Sequence, residues 1–259
     1  MRLLIFAGIA LIVISCNSKP SSEANSNKPV SDASAENLKG KVQQVETNTY
    51  LVDSATGQKG KLESKSIEKY DDNGYEVYYS SFTPKDSVTM VTTYEHDSNG
   101  YVTAITTTKN GKPSSSMKIT VDSMGKYTSA VSYDSTGKED TYYDSIASNN
   151  YGEVLSAHGH HSDSSLKMSF TNNFDSIYYV GGDSKDSVGK LTYSSTIKLN
   201  DKKDPQQMDE TTVTKKDSTT KKNTVYTYNT SDNNGNWILQ TIAEDGKPKK
   251  IVERTITYK

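Results

Sequence analysis

From about residue 38 onward, apolar and polar residues alternate in short runs that are separated by turn residues. Between residues 190 and 199 most apolar side chains fall on alternate positions, and Ser, Thr and Lys fill the positions between them. Met117, Ile119 and Val121 repeat the pattern against Ser116, Lys118 and Thr120. Successive residues of a strand point to opposite faces, so this alternation predicts β-strands with one drier face.

Glycine-containing pairs mark the turns between these runs. Asn-Gly occurs at 73–74, 99–100, 110–111 and 234–235, and Asp-Gly occurs at 245–246. Asn-Gly supplies the two positive φ angles of a type I′ turn, so each pair predicts a two-residue hairpin.

The spacing of the turns predicts the fold class. Most turns lie 11 to 14 residues apart, and two successive turns make a repeat of about 25 residues, as between Gly100 and Gly125. An antiparallel meander alternates its turns between two ends, so a repeat of two turns is expected. We expect an all-β chain with a long antiparallel meander of about 14–16 strands, each of seven to nine residues. A sheet of that size curls, and the pattern leaves a curled single sheet and a partial barrel both open.

A different pattern occupies the first residues. Leu3 to Ile14 is an unbroken run of 12 apolar or small residues after Arg2. The run is too short to span a bilayer, which needs roughly 20 helical residues, and it is typical of a signal peptide. The sequence Val13-Ile14-Ser15-Cys16 resembles the lipobox of bacterial lipoproteins. That resemblance implies cleavage after residue 15 and acylation of Cys16, including palmitate-type chains, so that the protein is lipid-anchored to the membrane.

Residues 16–37 follow as the predicted lipidated Cys and flexible linker, and residues 38–259 form the predicted β-repeat domain. The linker sequence is rich in Ser, Asn and Ala and has no aromatic residue, so it lacks the apolar surface that folding requires. Asn17 follows the cysteine, whereas Asp at that position retains some lipoproteins at the inner membrane. By this resemblance the bacterial cell envelope, and in it the outer membrane, is the expected location; periplasmic and surface-exposed orientations both remain open.

Composition narrows the function classes. The chain of 259 residues has 30 Lys and Arg against 32 Asp and Glu, and this balance argues against nucleic acid as a partner. Only 32% of its residues are hydrophobic, which fits a sheet with one face in water. The sole cysteine is Cys16, so its acylation would leave no thiol for a disulfide or a nucleophile.

The turn sequences carry a second resemblance. Tyr70-Asp71-Asp72-Asn73-Gly74-Tyr75 and Tyr133-Asp134-Ser135-Thr136-Gly137 place Tyr and acidic residues before a turn glycine. With the looser segment 94–101 and the final thirty residues, they resemble the YD-repeat (Rhs-type) family over roughly residues 40–259; residues 153–222 lack the signature. The resemblance implies antiparallel sheets that act as shells or scaffolds, with no catalytic residues to carry over.

Three of the four histidines, His158, His160 and His161, lie together. His158 and His160 share a strand face and could bind Zn²⁺ or Cu²⁺. No Cys and no regularly spaced carboxylate lies near them in the sequence, so surface histidines without a metal are the preferred interpretation. The sequence predicts no catalytic residues, no metal and no cofactor.

Four aromatic residues fall one or two positions after a turn glycine: Tyr75, Tyr101, Tyr127 and Trp237. They could form a row at one end of the sheet on which sugar rings stack. Hairpin stabilisation by cross-strand packing is the other interpretation, and we prefer it.

The sequence therefore predicts a non-enzymatic, lipid-anchored envelope protein whose β-repeats serve as a scaffold or binding surface. A carbohydrate-binding lipoprotein and a lipid carrier with a hydrophobic concavity remain as alternatives. A glycan or another envelope protein is the expected class of partner, and an undetected hydrolase would need acidic or His groups that converge in a pocket.

Overall fold

The computed structural model describes residues 28–214 and 218–259 as one short helix and a closed barrel of antiparallel strands. The helix α1 spans Asp32–Ala35. The 16 strands are β1 (Val42–Val52), β2 (Lys59–Tyr70), β3 (Glu76–Phe82), β4 (Val88–His96), β5 (Val102–Lys109), β6 (Lys112–Val121), β7 (Tyr127–Tyr133), β8 (Glu139–Ser148), β9 (Val154–His160), β10 (Leu166–Asp175), β11 (Tyr178–Asp186), β12 (Leu191–Leu199), β13 (Pro205–Val213), β14 (Thr219–Ser231), β15 (Trp237–Glu244) and β16 (Lys247–Tyr258).

The meander closes because its first and last strands pair. Each strand is hydrogen-bonded to its neighbours in the sequence, and β1 pairs with β16 in an antiparallel ladder from Val42↔Tyr258 to Leu51↔Lys250. The all-β class and the strand number are confirmed, and the sheet is a closed barrel. Several strands are longer than expected, up to the 13 residues of β14. No helix of the described residues is long and apolar enough to cross a membrane.

The turns lie at two ends of the barrel. We call the end that holds the turns after the even-numbered strands the capped end, and the other the far end. At the β2–β3 turn, Gly74 N–H donates to Asp71 O at 3.2 Å, and Asp71 Oδ1 accepts from the N–H groups of Asn73 and Tyr75 at 2.8 and 2.9 Å. The same side-chain pattern recurs at Asp97, Asp122, Asp134, Asn149, Asp186, Asn200 and Asp232.

This turn chemistry corrects the prediction of type I′ turns at 73–74, 99–100 and 234–235. In each of these turns the glycine has a positive φ, +85° at Gly74, but the preceding Asn does not. The turn is therefore a longer loop in which a left-handed glycine ends a four-residue turn held by Asp. The I′ prediction holds at 110–111 and 245–246, where both residues have positive φ.

Strand alternation gives the barrel two unlike walls. In-register pairs place Val45, Ile105, Phe170 and Val252 on one face, which we call the inner face because most of its side chains are buried. The outer face carries mainly Ser, Thr and charged residues, including Lys65, Asp183 and Glu253. A mixture of apolar and buried polar side chains therefore lines the interior, and mainly polar ones cover the outside.

Residues 28–41, which we call the cap segment, pack against the capped end. Asp32 Oδ2 accepts from Glu76 N–H at 2.8 Å, and Asn37 Nδ2 donates to Asp204 Oδ1 at 2.8 Å. Lys39 N–H donates to Asn236 Oδ1 at 2.6 Å. Glu76 begins β3 directly after the β2–β3 turn, and Asp204 and Asn236 belong to the β12–β13 and β14–β15 turns. The segment therefore contacts well-separated points around the barrel end.

The cap segment extends the folded body beyond the predicted boundary at residue 38. Residues 28–37 were expected to belong to the flexible linker because their composition is polar. They are instead held by hydrogen bonds from polar side chains and by a few buried residues, among them Asp32 and Ala33. Residues 1–27, with the predicted signal peptide and Cys16, lie outside the described residues.

Several turn glycines of the capped end lie against other side chains, whereas Gly235 at that end and the turn glycines of the far end do not. A Cβ placed on Gly74, Gly100, Gly125 or Gly152 would meet Ser31, Tyr75, Tyr101 or Pro29 respectively. At the far end nothing lies within 4 Å of such a Cβ on Gly57, Gly111, Gly137, Gly189 or Gly246. Side chains and the cap segment therefore pack over much of the capped end. At the far end, no described atom lies against these turn glycines.

Candidate functional site in the barrel interior

The most unusual group of the inner face is a buried arginine stacked on the sole tryptophan. Arg254 lies in the middle of β16, and its guanidinium carbon is 3.6 Å from the centroid of the Trp237 ring. The Trp237 ring also packs against Tyr228, with ring centroids 5.6 Å apart. The Tyr228 hydroxyl donates to Pro205 O at 2.6 Å. We call Arg254, Trp237, Tyr228 and the neighbouring Gln240 the arginine cluster.

The arginine cluster contains buried polar atoms without hydrogen-bond partners. Among the described residues, Arg254 Nε and Nη1 and Gln240 Oε1 have none, nor has Thr224 Oγ1, which lies further along the same face of β14. Arg254 is 7% exposed and Gln240 is 2% exposed. Buried charges are normally paired, because their desolvation is costly. The cluster therefore has the chemistry to bind an anionic group, which would supply the missing acceptor.

The groups around Tyr228 act on the pKa of its hydroxyl in opposite directions. Burial raises the pKa of the Tyr228 hydroxyl above its ordinary range, and Asp204 adds to that effect, whereas Arg254 and Gln240 oppose it. Tyr228 therefore stays protonated and remains a hydrogen-bond donor at neutral pH. The guanidinium of Arg254 has no ion pair within 4 Å among the described residues, although it is buried.

Carboxylates gather on another part of the inner wall, close to the cap segment. Tyr70 Oη lies 3.2 Å from both Glu36 Oε2 and Glu68 Oε2. Burial, with the negative charges of Glu68 and Glu76, raises the pKa of Tyr79 to about 12. The interior thus presents an acidic region on β2 and β3 and a basic group on β16.

The rarity of arginine in the sequence is the signal that could have identified Arg254. The chain has 30 Lys and Arg, but Arg occurs only at positions 2 and 254. Lys therefore serves nearly every basic position, and Arg254 is the exception. A planar guanidinium that stacks on an aromatic ring and binds anions through a fork of donors is not replaceable by Lys.

The four predicted aromatic residues all lie at the capped end, in two different settings. Tyr75 and Tyr101 directly follow a turn glycine, and their rings lie over the turn glycines Gly100 and Gly125 of the next repeat. Tyr127 and Trp237 begin β7 and β15, and Tyr127 contacts Tyr101 edge-to-face with centroids 5.7 Å apart. Trp237 belongs to the arginine cluster instead, so the four do not form one continuous row.

All four rings are buried, with exposures of 4–7%. A sugar ring would have to displace a neighbouring side chain to stack on any of them. Glycan binding by these residues stays a prediction that no observation tests.

The histidines predicted to be plain surface residues lie beside a carboxylate after all. His160 Nε2 is 3.1 Å from Asp144 Oδ1, and Asp144 is the cross-strand partner of His158. No local sequence pattern indicates this neighbour, because Asp144 is 14 residues away from His158 in the sequence and adjacent to it only in the sheet.

No protein-family model and no curated protein sequence matches the chain. Among solved structures, the chain is similar to a porin-like protein from Bacteroides uniformis, with 14% identity and a TM-score of 0.54, over 85% of this chain and 98% of that protein. A porin-like protein from Bacteroides vulgatus matches with 12% identity and a TM-score of 0.33, over 82% of this chain and 97% of that one. The TcdB2-TccC3 crystal structure matches with 10% identity and a TM-score of 0.31, over 78% of this chain and 16% of that one.

The likeness to the Bacteroides uniformis protein shows a shared barrel fold. The other two similarities have TM-scores below 0.5 and carry no argument. The resemblances to bacterial lipoproteins and to the YD-repeat family stay predictions.

Proposed function

We propose that the chain is a bacterial cell-envelope lipoprotein whose barrel is a non-enzymatic binding body, held at the outer membrane by acyl chains on Cys16. The polarity of the outer wall is the observation that supports this most strongly. A barrel that crosses a bilayer needs an outward-facing apolar band about 25 Å tall. The outer face of this barrel has charged residues at mid-strand positions where that band would lie: Lys65, Asp144, Asp183, Asp209 and Glu253.

These charges would be expensive in lipid. A single Lys at the bilayer midplane of a transmembrane barrel costs about 2–4 kcal/mol. Lys65 pairs with Glu46 at 3.2 Å on the outer face, as expected of a surface in water. A barrel with such a wall needs a tether to reside at a membrane, and acylated Cys16 would be that tether.

The position of the cap segment gives the tether a direction. Residue 28 is the first described residue, and Pro29 packs near Gly152 at the capped end. A chain anchored through Cys16 would therefore bring the capped end toward the bilayer and leave the far end pointing away from it.

Acylation is tested by mass spectrometry of the full chain expressed in a Gram-negative host. We expect an N-terminal peptide that begins at Cys16 and carries the mass of the acyl chains, and we expect the protein to enter the detergent phase on Triton X-114 partitioning. A variant that carries residues 17–259 behind an ordinary cleavable secretory signal peptide, and so lacks Cys16, should shift to the aqueous phase. If that variant stayed in carbonate-washed membranes, the wall itself would be embedded and the proposal would fail.

The arginine cluster favours a second function, carriage of an anionic amphiphile in the barrel interior. The inner face combines apolar walls such as Ile242 and Val252 with the unpaired guanidinium of Arg254. An acyl or other apolar body could lie against the former while its carboxylate or phosphate head pairs with the latter. This is a more specific form of the lipid-carrier alternative.

Arg254→Met tests this carrier function, because it removes the charge and keeps an apolar side chain of adequate length. A charge-assisted hydrogen bond contributes about 1.5–3 kcal/mol, so binding of a fluorescent fatty acid should weaken about tenfold or more. The matched control is Lys118→Met on the outer face, which should leave binding unchanged. Equal binding by the Arg254 variant and the wild type, or no lipid in native mass spectra of protein purified from membranes, would contradict the carrier function.

The same substitution should leave the empty barrel as stable as before, or stabilise it. Replacing buried charges by apolar side chains of similar volume is often neutral or favourable. Urea unfolding of the lipid-free variant measures this, and a marked loss of stability would show that Arg254 already has a compensating partner in the folded chain.

A further inference from the structure

Two histidines and one aspartate converge on the outer wall between β8 and β9, on the opposite face of the sheet from the arginine cluster. His158 and His160 are two positions apart on β9, so both project from the outer face. Asp144 on β8 lies opposite His158 in the register. One ligand atom from each of the three side chains lies within 4.8 Å of the other two.

The three side chains are already oriented toward one another. His160 Nε2 and Asp144 Oδ1 are 3.1 Å apart, and His160 Nδ1 lies 3.3 Å from Ser164 O. The rings of His158 and His160 have centroids 6.4 Å apart at an angle of 68°. A backbone carbonyl on the second ring nitrogen is the partner that metal-bound histidines usually have, because it fixes the tautomer and the ring orientation.

The backbone of β8 is irregular directly beside Asp144. The register moves from Asp144↔His158 to Ala147↔Ser156, so β8 has one extra residue there, and Ser145 has a φ of +50°. β-Bulges turn neighbouring side chains and are frequent next to functional sites. A positive φ is unfavourable for a serine. The bulge at Ser145 accounts for the direction in which the neighbouring Asp144 side chain points.

Exposure allows an ion to reach this cluster from water. The side chain of Asp144 is 40% exposed and that of His160 is 20% exposed, and His158 is also exposed. Two imidazole nitrogens and a carboxylate oxygen form the ligand set that late divalent transition metals prefer, and Zn²⁺ accepts it with a fourth position left to water. Ca²⁺ and Mg²⁺ are disfavoured because they take oxygen ligands.

We propose that Asp144, His158 and His160 form a three-ligand surface site for a late divalent transition metal such as Zn²⁺. In a Zn²⁺ complex the ligand atoms lie about 2.0–2.2 Å from the ion, so the side chains must draw together slightly from their present separations. The site is independent of the proposed lipid anchor and of the arginine cluster, because it involves neither Cys16 nor the inner face.

Zn²⁺ titration of the full chain in detergent, with a chromophoric chelator as competitor, tests the proposal. We expect one equivalent of Zn²⁺ to bind, and Asp144→Asn, His158→Asn and His160→Asn each to weaken binding about tenfold or more. His161→Asn is the matched control, since it is the neighbouring histidine outside the cluster, and it should change the affinity less than twofold. Far-UV circular dichroism checks that each variant retains its β-structure.

NMR with Co²⁺ separates a specific site from scattered histidine binding. The chain has four His, so four imidazole C2–H signals are expected, and Co²⁺ should shift those of His158 and His160 strongly while the signal of His96 stays in place. The proposal is overturned if Zn²⁺ does not bind with one-to-one stoichiometry, if His161→Asn weakens binding as much as His158→Asn, or if Asp144→Asn has no effect.

Discussion

Tyr75 and Tyr101 show how single residues close the capped end. Each ring lies over a turn glycine of the following repeat, Gly100 and Gly125 respectively, and each turn glycine has a positive φ, +94° and +78°. Glycine is therefore needed twice at these positions, for the left-handed backbone and for the close approach of a ring. The spacing of Tyr after Gly was visible in the sequence, but its meaning depended on which turn lies next in the barrel.

Gly100→Ala should be more destabilising than Gly137→Ala, although both glycines end the same kind of Asp turn. A Cβ at Gly100 would lie closer than 3.0 Å to the Tyr75 ring, and nothing lies within 4 Å at Gly137. Both variants carry the left-handed backbone penalty of about 1–2 kcal/mol, and overpacking adds about 1–3 kcal/mol at Gly100 alone. Urea unfolding measures the difference; equal losses would show that the ring moves aside freely.

Buried tyrosines give the protein a characteristic alkaline titration. Burial raises the pKa of Tyr79, Tyr143 and Tyr226 to about 12 each, against an ordinary value near 10. Because the folded pKa lies above the unfolded one, the neutral tyrosines contribute stability that is fully present below about pH 10 and is lost as the pH rises toward 12.

Spectrophotometric titration at alkaline pH should therefore be heterogeneous. We expect part of the 18 tyrosines to ionise only near pH 12 or on unfolding, and we expect a single transition near pH 10 in concentrated urea. One common transition near pH 10 in the native protein would contradict the burial of these rings.

A contact between two residues could be predicted only when the residues lie close together in the sequence. The aromatic residues after turn glycines were found because the relevant neighbours are one or two positions away. Asp144 and the histidines, or Arg254 and Trp237, meet only through strand pairing, so no local pattern joins them. Arg254 was foreshadowed by composition alone, as the one Arg beyond position 2.

At the scale of elements, the Asp turn is the unit that this chain repeats. Asp97 accepts two N–H bonds, from Asn99 at 2.8 Å and from Tyr101 at 2.9 Å, and Gly100 N–H closes the turn on Asp97 O at 3.0 Å. Asn149 and Asn200 make the same bonds in their own turns. The turn therefore requires a side-chain oxygen at this position and not a negative charge.

Asp97→Ala should destabilise the protein by about 1–2 kcal/mol, because two hydrogen bonds are lost. Asp97→Asn keeps the acceptor oxygen and should cost about 0.5 kcal/mol or less. The free energies of unfolding of the two variants, measured by thermal or urea unfolding, separate the effect of the acceptor oxygen from that of the charge. An Asn variant as unstable as the Ala variant would show that the turn depends on the negative charge.

The elements were largely predictable, because alternation and turn residues are local signals. The number of strands and the position of nearly every turn follow from them. The turn type at 73–74, 99–100 and 234–235 was predicted wrongly, because Asn-Gly was interpreted as a two-residue hairpin. In each of these turns the Asp two positions earlier accepts hydrogen bonds from the turn and stabilises a longer loop. The cap segment was missed because its attachment relies on polar contacts, which composition does not reveal.

At the scale of the whole molecule, closure of the barrel and the polarity of its outer wall are the features that support the proposed function. Closure requires β1 to pair with β16 across the length of the chain, and no local pattern announces that pairing. Once the barrel is closed, strand alternation separates an interior that holds most of the buried side chains, apolar and polar, from a mainly polar exterior. The barrel shares its fold with a porin-like protein, yet its outer wall has the composition of a surface in water.

The most direct test of this account is the behaviour of residues 17–259, expressed without the signal peptide and Cys16, in buffer free of detergent. We predict a soluble protein with the far-UV circular dichroism of a β-barrel and a cooperative urea transition that detergent leaves unchanged. Aggregation in buffer, with folding only after detergent or lipid vesicles are added, would contradict the claim that the outer wall faces water.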